Sequence, residues 1–275
     1  MIALSGGDER HPLAFPRVFR AGDRRVLEVS VLLDNRPGAI ARVAGYLGER
    51  GINILSGVHH HVAEGGEEEG WWCFFVECDE AEVGRVQERL RKLRELEGVR
   101  RVRVSEANVG NLAVDRHHSV QLMGVDRVVT FRTGWIDGIF REIYRRWGDD
   151  GRRMIYLEGY YGGRRSYGFW REAFGLEGRE LLEAALGLWV VLGWAEDVRV
   201  VEFDRAKGEA TVRVWGSFEA VQPSDGPVCN FLLGAVTGFL SEMLGKPLFG
   251  QETRCQAAGD EYCEFVIREK PFVFK

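Results

Sequence analysis

The sequence predicts an α+β protein in two parts, and three observations support this fold class. In the first third of the chain, apolar residues alternate between strand-like and helix-like spacing in the order β-α-β-β-α-β. The second half combines two helices that are apolar nearly all round with two hairpins. The chain has 275 residues, of which 45% are hydrophobic, enough for two domains that each have a core.

The first part begins after a polar arm, residues 1–25. VLEVSVLL, residues 26–33, predicts a buried strand, and DNRPG then forms a turn. AIARVAGYLGERG predicts a helix over 39–51, with Gly51 closing it, and a strand follows over 52–62.

The same part continues with a strand at 71–78 and a helix at 79–98. Asp79 is the expected N-cap of this helix, and Gly98 follows its end. VRRVRVSE, residues 99–106, alternates as an edge strand does. The resulting order is that of a ferredoxin-like βαββαβ domain.

LLDNRPGAIARVAGYLGERGINI resembles the start of an ACT domain, a small-molecule regulatory module of amino-acid metabolism. The resemblance covers residues 26–106. It implies a homodimer that pairs through the ACT sheet and binds an amino-acid-like effector between paired domains. An exposed helix N-terminus suits an effector carboxylate. The alternative is a domain that has lost its ligand and only dimerises. The effector-binding positions that the resemblance implies are Asp34, Asn35, Pro37, Gly38 and Asn53.

After a linker at 107–127, the second part occupies residues 128–275. The segment WIDGIFREIYRRWGDDG, which begins at Trp135, has apolar residues at helical spacing. Buried helices are expected at 181–194 and 229–244. Gly234 and Gly238 in the latter helix are expected to allow close helix approach. Between these helices, 197–204 and 210–220 predict a hairpin. MIYLEGYYGG is expected to be a strand or short buried element, and YYGGRRSYGFW a mobile surface loop, since it lacks the Lys-Ser/Thr of a phosphate loop.

The last hairpin, QETRCQAAGDEYCEFVI, places Cys255 and Cys263 on either side of an AAGD turn. If residues 258–260 form the loop, the two cysteines lie directly opposite one another across an antiparallel pair. This arrangement fits a disulfide, two core thiols or a shared metal. Glu252 would face away on a regular strand, so a bulge must turn it inward. Cys229 opens the preceding helix. Three thiolates and one carboxylate would close a tetrahedral zinc shell, which is the arrangement of a structural site.

FEA, PVCNFLLGAVTGFLSEMLGK and QETRCQAAGDEYCEFVI are similar to the 4-vinyl reductase domain family, over residues 125–268. That family includes sensory domains of aromatic-responsive bacterial activators and proteins linked to bacteriochlorophyll synthesis. The resemblance implies structural zinc at Cys229, Glu252, Cys255 and Cys263, beside a buried pocket for a small hydrophobic or aromatic ligand. The alternative is that the pocket candidates are plain core. These candidates are Trp189, Trp215, Phe218, Phe231 and Phe239.

Charge and composition restrict the classes of function. The net charge of −5 and the pI near 5.8 give no reason to expect direct nucleic-acid or membrane binding. An odd number of cysteines, five, argues against a disulfide framework and for free or metal-bound thiols. The N-terminal residues carry charge where a signal peptide has an apolar stretch, so a cytoplasmic location is expected. The histidines at 59–61 are interpreted as a polar strand end, with a metal site as the alternative.

These features together predict a non-enzymatic two-domain ligand sensor: a ferredoxin-like ACT domain followed by a mixed α/β zinc-containing ligand-binding domain. No nucleophile–base pair and no dinucleotide fingerprint is visible. The resemblance to 4-vinyl reductase domains leaves an alternative, a tetrapyrrole vinyl-reductase-type enzyme or its accessory subunit. A third possibility is an assembly protein whose two domains only pair subunits.

Overall fold

A computed structural model describes residues 18–62, 69–115, 120–122 and 126–270. It divides the chain into two compact units between Val128 and Val129. Among the described residues, no helix combines the length and the apolar content that a membrane span requires.

The first unit contains nine described strands and two α-helices. In chain order they are β1 (Val18–Arg20), β2 (Arg25–Asp34), α1 (Ala39–Gly48), β3 (Ile54–Val62), β4 (Glu69–Cys78), α2 (Val83–Arg91), β5 (Val99–Glu106), β6 (Asn108–Val109), β7 (Leu112–Val114), β8 (Gln121–Leu122) and β9 (Asp126–Arg127). Four of the strands form one antiparallel sheet in the order β3-β4-β2-β5. This arrangement confirms the predicted βαββαβ order and the edge position of β5.

One face of this sheet forms the main core of the unit. Leu27, Val29 and Val31 alternate inward along β2 and pack with Val43 of α1 and Leu90 of α2. Two helix lengths differ from the prediction. Within the predicted helix 79–98, only α2 is α-helical, and a 3₁₀ turn lies on either side of it. The helix predicted over 39–51 ends at Gly48.

The opposite face of the sheet has a second, smaller cluster around Phe75, which is fully buried. Part of the expected arm and part of the expected linker cover it. Strand β1 pairs with β7, which pairs with β6, in a three-stranded sheet. Ala21 and Ala113 from these segments pack on Phe75. Parts of the expected arm and linker thus form strands that pack on a buried aromatic ring, although their composition suggested loops.

The second unit is mixed α/β. Its elements are α3 (Thr133–Phe174), α4 (Gly178–Val191), β10 (Asp197–Asp204), β11 (Glu209–Trp215), α5 (Asn230–Leu244), β12 (Phe249–Arg254) and β13 (Cys263–Arg268). The strands form an antiparallel sheet in the order β10-β11-β13-β12. Helix α5 has the buried, nearly all-apolar character that the sequence predicts.

Helix α3 corrects two predictions. MIYLEGYYGG is neither a strand nor a short element, and YYGGRRSYGFW is not a surface loop, because both lie within this helix. Element α3 consists of two helical segments that meet at Gly148, whose φ of 52° is positive and whose backbone is not helical. A Cβ on Gly151 would lie 2.8 Å from the carbonyl oxygen of Ile143, so the backbone segments before and after Gly148 are in close contact.

Helices α3 and α5 touch through their backbones at four glycines. A Cβ on Gly159 or Gly163 would lie 2.1 or 1.9 Å from carbonyl oxygens of α5. A Cβ on Gly234 or Gly238 would lie 2.1 or 1.9 Å from carbonyl oxygens of α3. The close approach predicted for Gly234 and Gly238 is confirmed. Its partner is the glycine-rich stretch that the sequence suggested to be a loop.

Candidate metal centre

The described residues contain one group of His, Cys, Asp and Glu side chains that could hold a metal ion: Cys229, Glu252, Cys255 and Cys263. One ligand atom from each side chain lies within 4.8 Å of the others, and all four residues are buried. The Sγ atoms of Cys229 and Cys263 are 3.5 Å apart. All three cysteines are free thiols, so the structure contains no disulfide at this hairpin.

Three elements bring the four side chains together. Cys229 is the N-cap residue of α5, and Cys263 is the first residue of β13, paired with Val214 of β11. The ladder between β12 and β13 shifts register between Glu252 and Arg254. This irregularity is the predicted bulge that turns Glu252 towards the thiols.

Cys255 differs from its predicted setting. The ladder of β12 with β13 ends at the pair Arg254 and Glu264, and Cys255 opens the 3₁₀ turn Gln256–Ala258. The two hairpin cysteines are therefore not a cross-strand pair. The turn lifts Cys255 off the ladder, so that it faces Cys229 as well as Cys263.

Glu252 has one satisfied and one unsatisfied carboxylate oxygen. Its Oε2 accepts a hydrogen bond of 2.9 Å from the backbone N–H of Cys229. Its Oε1 is buried without a hydrogen-bond partner among the described residues. A buried carboxylate oxygen without a donor is costly. An orphan oxygen on a carboxylate that is grouped with three thiols fits a bound cation.

The protonation states of the four groups conflict when no cation is present. Burial, followed by the negative charge of Cys255, raises the pKa of Glu252 to about 8. Hydrogen bonds with Cys255 and Cys263, together with burial, raise the pKa of Cys229 well above its usual range. Hydrogen bonds from Cys229 and Cys263 lower the pKa of Cys255, so one thiolate is shared among three sulfurs. A divalent cation would allow all four ligands to ionise.

Groups next to the cluster form hydrogen bonds with its three cysteines. The Ser217 hydroxyl lies 3.3 Å from Cys229 Sγ, and the Gln256 N–H donates to Cys263 Sγ at 3.4 Å. The Asp260 carboxylate accepts the N–H of Cys255 at 2.8 Å, which fixes the turn. Such outer contacts orient metal ligands.

Glu219 is a buried carboxylate beside this centre that the sequence interpretation did not single out. Its two oxygens accept the N–H groups of Phe231 and Leu232, at 2.9 and 2.8 Å, in the first turn of α5. Burial raises its pKa to about 8, although these two hydrogen bonds act in the opposite direction. It lies ten residues before the Cys229 N-cap, outside the span of a capping box.

The five aromatic pocket candidates fall into separate places. Phe218 and Phe231 pack together at 6.0 Å between ring centroids, and Phe140 lies 6.0 and 6.2 Å from them. Trp194 lies 5.5 Å from Phe231, and the candidate Trp189 lies 6.3 Å from Trp194. The sequence interpretation did not include Phe140 or Trp194 among the pocket candidates.

The other two candidates lie outside this aromatic group. Phe239 packs edge-on against Tyr167 of α3, at 5.5 Å. Trp215 contacts Tyr262 at 5.4 Å on the face of the sheet opposite the buried Val214. The alternation of side chains along β11 could have predicted this position. Val212 and Val214 are apolar and face the core, so Trp215, the next residue, faces the other side of the sheet.

An open cleft of about 530 Å³ lies against the metal centre. Ser217 and Gln256, which contact ligand sulfurs, form part of its wall, and so does Phe218 of the aromatic group. The remaining lining residues are Thr133, Gly193, Ala195, Glu196, Gly216, Ala220 and Val221. The cleft therefore reaches both the outer contacts of the centre and the edge of the aromatic group.

In the first unit, Gly38 is the N-cap of α1, with φ 86° and no side-chain cap. The backbone N–H groups of Ile40 and Ala41, in the first turn, have no backbone acceptor among the described residues. Pro37 and Gly38 are exposed. These donors are available to an anion.

Of the remaining effector candidates, Asp34 and Asn35 lie in this turn. Asn53 does not, because it precedes Ile54, which the pairings through Val76 align with the start of β2, whereas the turn follows the other end of β2. Asp34 accepts a hydrogen bond of 2.6 Å from the Nε of Arg100 and lies 3.5 Å from the guanidinium of Arg36. Asn35 is half-buried, and Asn53 is exposed just before β3.

His59 and His60 are exposed on β3 and belong to no metal-binding group among the described side chains. The side chain of the third histidine, at 61, lies outside the described residues.

Comparisons with known proteins identify both parts. Residues 27–95 match the sequence model of the ACT domain, and residues 211–269 match that of the 4-vinyl reductase domain. The phenol regulator MopR of Acinetobacter guillouiae is 44% identical over 43 residues, which are 16% of this chain and 8% of that protein. The chain therefore spans only a small part of this relative.

Two solved structures align with about half of this chain. The phenol-responsive sensory domain of the transcription activator PoxR aligns with a TM-score of 0.48 and 20% identity, over 54% of this chain and 79% of that one. A vinyl-4-reductase family protein of Methanocaldococcus jannaschii aligns with a TM-score of 0.38 and 15% identity, over 52% and 85%.

Proposed function

We propose that this chain is a non-enzymatic small-molecule sensor with two ligand-binding domains, the second built around structural zinc. The observation that carries the proposal is the convergence of Cys229, Glu252, Cys255 and Cys263 in a buried site with an orphan carboxylate oxygen. Three sulfur donors and one oxygen donor suit zinc better than magnesium or calcium, which prefer oxygen ligands.

The proposed role of zinc is structural. Four protein ligands complete a tetrahedral shell and leave no position for a reactive water. The ion would tie the N-terminus of α5 directly to the end of β12 and the start of β13, which are otherwise connected through the backbone between them. It would thereby keep the first turn of α5, including Phe231, in place beside the aromatic group.

The proposed ligand of the second domain is a small hydrophobic or aromatic molecule. Phe140, Phe218, Phe231 and Trp194 provide faces and edges on which a planar ligand can stack. MopR, whose name describes a phenol regulator, shares 44% identity over its short matched stretch and supports an aromatic ligand class. The cleft beside Ser217 and Phe218 provides a route from solvent to this group.

For the first domain we propose an amino-acid-like effector at the turn before α1. Its carboxylate would accept the free N–H groups of Ile40 and Ala41, beside Gly38. Asp34 and Asn35 lie in this turn and would contact the rest of the effector, whereas Asn53 lies at the opposite end of the sheet and is not part of this proposed site. We place this domain at 26–106, paired with a second copy through its sheet, and the sensor domain at 128–275, in a cytoplasmic protein.

The first experiment combines metal analysis with a thermal-shift screen of the full chain. One zinc per chain and a rise in melting temperature with a small aromatic compound or an amino acid are expected. Phe231→Ala should remove the response to aromatic compounds and leave the response to amino acids. A chain without metal that responds to neither class would contradict the proposal.

A further inference from the structure

The part of α3 that follows Gly148 has two different faces. One face, with Gly151, Ile155, Gly159 and Gly163, is buried. Two of these glycines contact the backbone of α5. No other described part of the second unit covers the opposite face, although it carries large apolar side chains.

Those apolar residues are Met154, Leu157 and Tyr161, whose exposed fractions are 47%, 46% and 63%. Their spacing of three and then four residues is that of successive a, d and a positions of a heptad. Exposed apolar residues in a continuous row along a helix mark an interaction surface more often than isolated ones do. We call Met154, Leu157 and Tyr161 the α3 seam.

Charged residues of opposite sign flank the seam. Arg153 precedes the first a position and corresponds to g, and Glu158 follows the d position and corresponds to e. The Arg153 side chain is 79% exposed, and its ion pair is a 3.7 Å contact with Asp150, which is 82% exposed. Glu158 forms no ion pair with any described residue. Both charges therefore face solvent on opposite sides of the seam.

We propose that the α3 seam binds the α3 seam of a second copy of this chain, with the two helices parallel and in register. A residue at g contacts the residue five positions later, at e, in a parallel pair. Arg153 of each copy would then meet Glu158 of the other, giving two equivalent ion pairs about a twofold axis. The charge pattern makes the seam complementary to itself, which an unrelated partner would not require.

The position-specific test is disulfide cross-linking of single-cysteine additions in the full chain. Met154→Cys, Leu157→Cys and Tyr161→Cys should each form covalent dimers under mild oxidation, because a and d residues face their own counterparts across the axis. Val191→Cys at the end of α4 is the control, since Val191 is 71% exposed but lies off the seam. The five native cysteines are buried.

Cross-linking at least about tenfold faster at all three seam positions than at Val191 is the expected result. Cross-linking at Leu157 alone would indicate an antiparallel pair and overturn the proposed orientation. Rates equal to that of Val191→Cys at all three positions would overturn the contact itself. This holds even where the chain dimerises through its first unit, because the readout is local to α3.

Charge reversal distinguishes this contact from nonspecific hydrophobic association. In the Leu157→Cys background, Arg153→Glu should slow cross-linking by about tenfold, because each pair of g and e residues then brings two like charges together. The double variant Arg153→Glu/Glu158→Arg should restore the rate. A double variant no better than the single one contradicts the parallel register. Neither test depends on metal or ligand binding, so failure of the sensor proposal leaves the outcome interpretable.

Discussion

The backbone N–H of Cys229 donates to Oε2 of Glu252 across 2.9 Å. This hydrogen bond joins the first turn of α5 to the bulged end of β12, two segments twenty-three residues apart in the chain. It orients the carboxylate so that its other oxygen, Oε1, is buried without a donor beside three thiols. One residue thus combines a structural contact with a free ligand atom.

Glu252→Gln should separate these two roles. The amide oxygen can still accept the N–H of Cys229, but the side chain loses the negative charge that a metal ligand supplies. We expect zinc affinity to fall by about 100-fold or more, with the far-UV circular dichroism spectrum unchanged. Competition with a chromophoric chelator measures the affinity.

The matched control is Glu261→Gln, an exposed residue two positions from Cys263. It should leave zinc affinity within about twofold of the wild-type value. Equal zinc affinity in Glu252→Gln and wild type would exclude Glu252 as a ligand.

Removal of the metal should expose thiols selectively. With zinc bound, the sulfurs of Cys229, Cys255 and Cys263 are coordinated as well as buried, so a thiol reagent should label none of them rapidly. After chelation, these three should react, since the turn and the N-terminus of α5 lose their common anchor. Mass spectrometry of labelled peptides measures each position.

Cys73 and Cys78 are an internal control, because both are buried in the sheet of the first unit. They should remain unlabelled before and after chelation. Simultaneous labelling of all five cysteines would indicate global unfolding rather than loss of a local site.

The clustering of Cys229, Glu252, Cys255 and Cys263 could be predicted from sequence because their settings are local. A cysteine at a helix start and a hairpin with two cysteines are visible without knowledge of the tertiary fold. Even the bulge at Glu252 followed from the period of two along a strand. The exact setting of Cys255 did not, since a 3₁₀ turn and a tight hairpin have similar residues.

The path of α3 could not be predicted in the same way. Glycine costs a helix about 1 kcal/mol relative to alanine, so a stretch with Gly159, Gly162 and Gly163 suggests a break. The compensating contact is with α5, which lies about seventy residues later in the chain. Gly234 and Gly238 revealed one side of this crossing, but the sequence does not identify its partner.

Gly163→Ala should therefore destabilise the second unit. The new Cβ would lie 1.9 Å from the carbonyl oxygen of Ala235, and only movement of the helix backbone can relieve that overlap. We expect a loss of about 2–3 kcal/mol in the free energy of unfolding, despite the better helix propensity of alanine. Urea denaturation followed by tryptophan fluorescence measures it.

Gly162→Ala is the matched control for this substitution. Gly162 is the adjacent residue on the same helix, it is exposed, and a Cβ there would meet no atom within 4 Å. This variant should gain about 0.5–1 kcal/mol. If both variants shift stability in the same direction, the close crossing of α3 and α5 is wrong.

Glu219 predicts a pH dependence of stability. Burial raises the pKa of this carboxyl to about 8 in the folded chain, whereas an unfolded glutamate titrates near about 4.3. A raised folded pKa means that the contribution to stability is complete below about pH 4.3 and is lost as the pH rises towards 8. Over that window this group lowers the free energy of unfolding by up to about 1.4 kcal/mol per pH unit.

Glu219→Gln removes the titration and keeps one acceptor for the first turn of α5. Its free energy of unfolding, measured by urea denaturation between pH 5 and pH 8 with zinc present, should fall less steeply than that of the wild type. The difference between the two curves isolates Glu219, because the metal ligands are common to both proteins. Parallel curves would mean that the carboxyl is already ionised in the folded state, with the N–H groups of Phe231 and Leu232 outweighing burial.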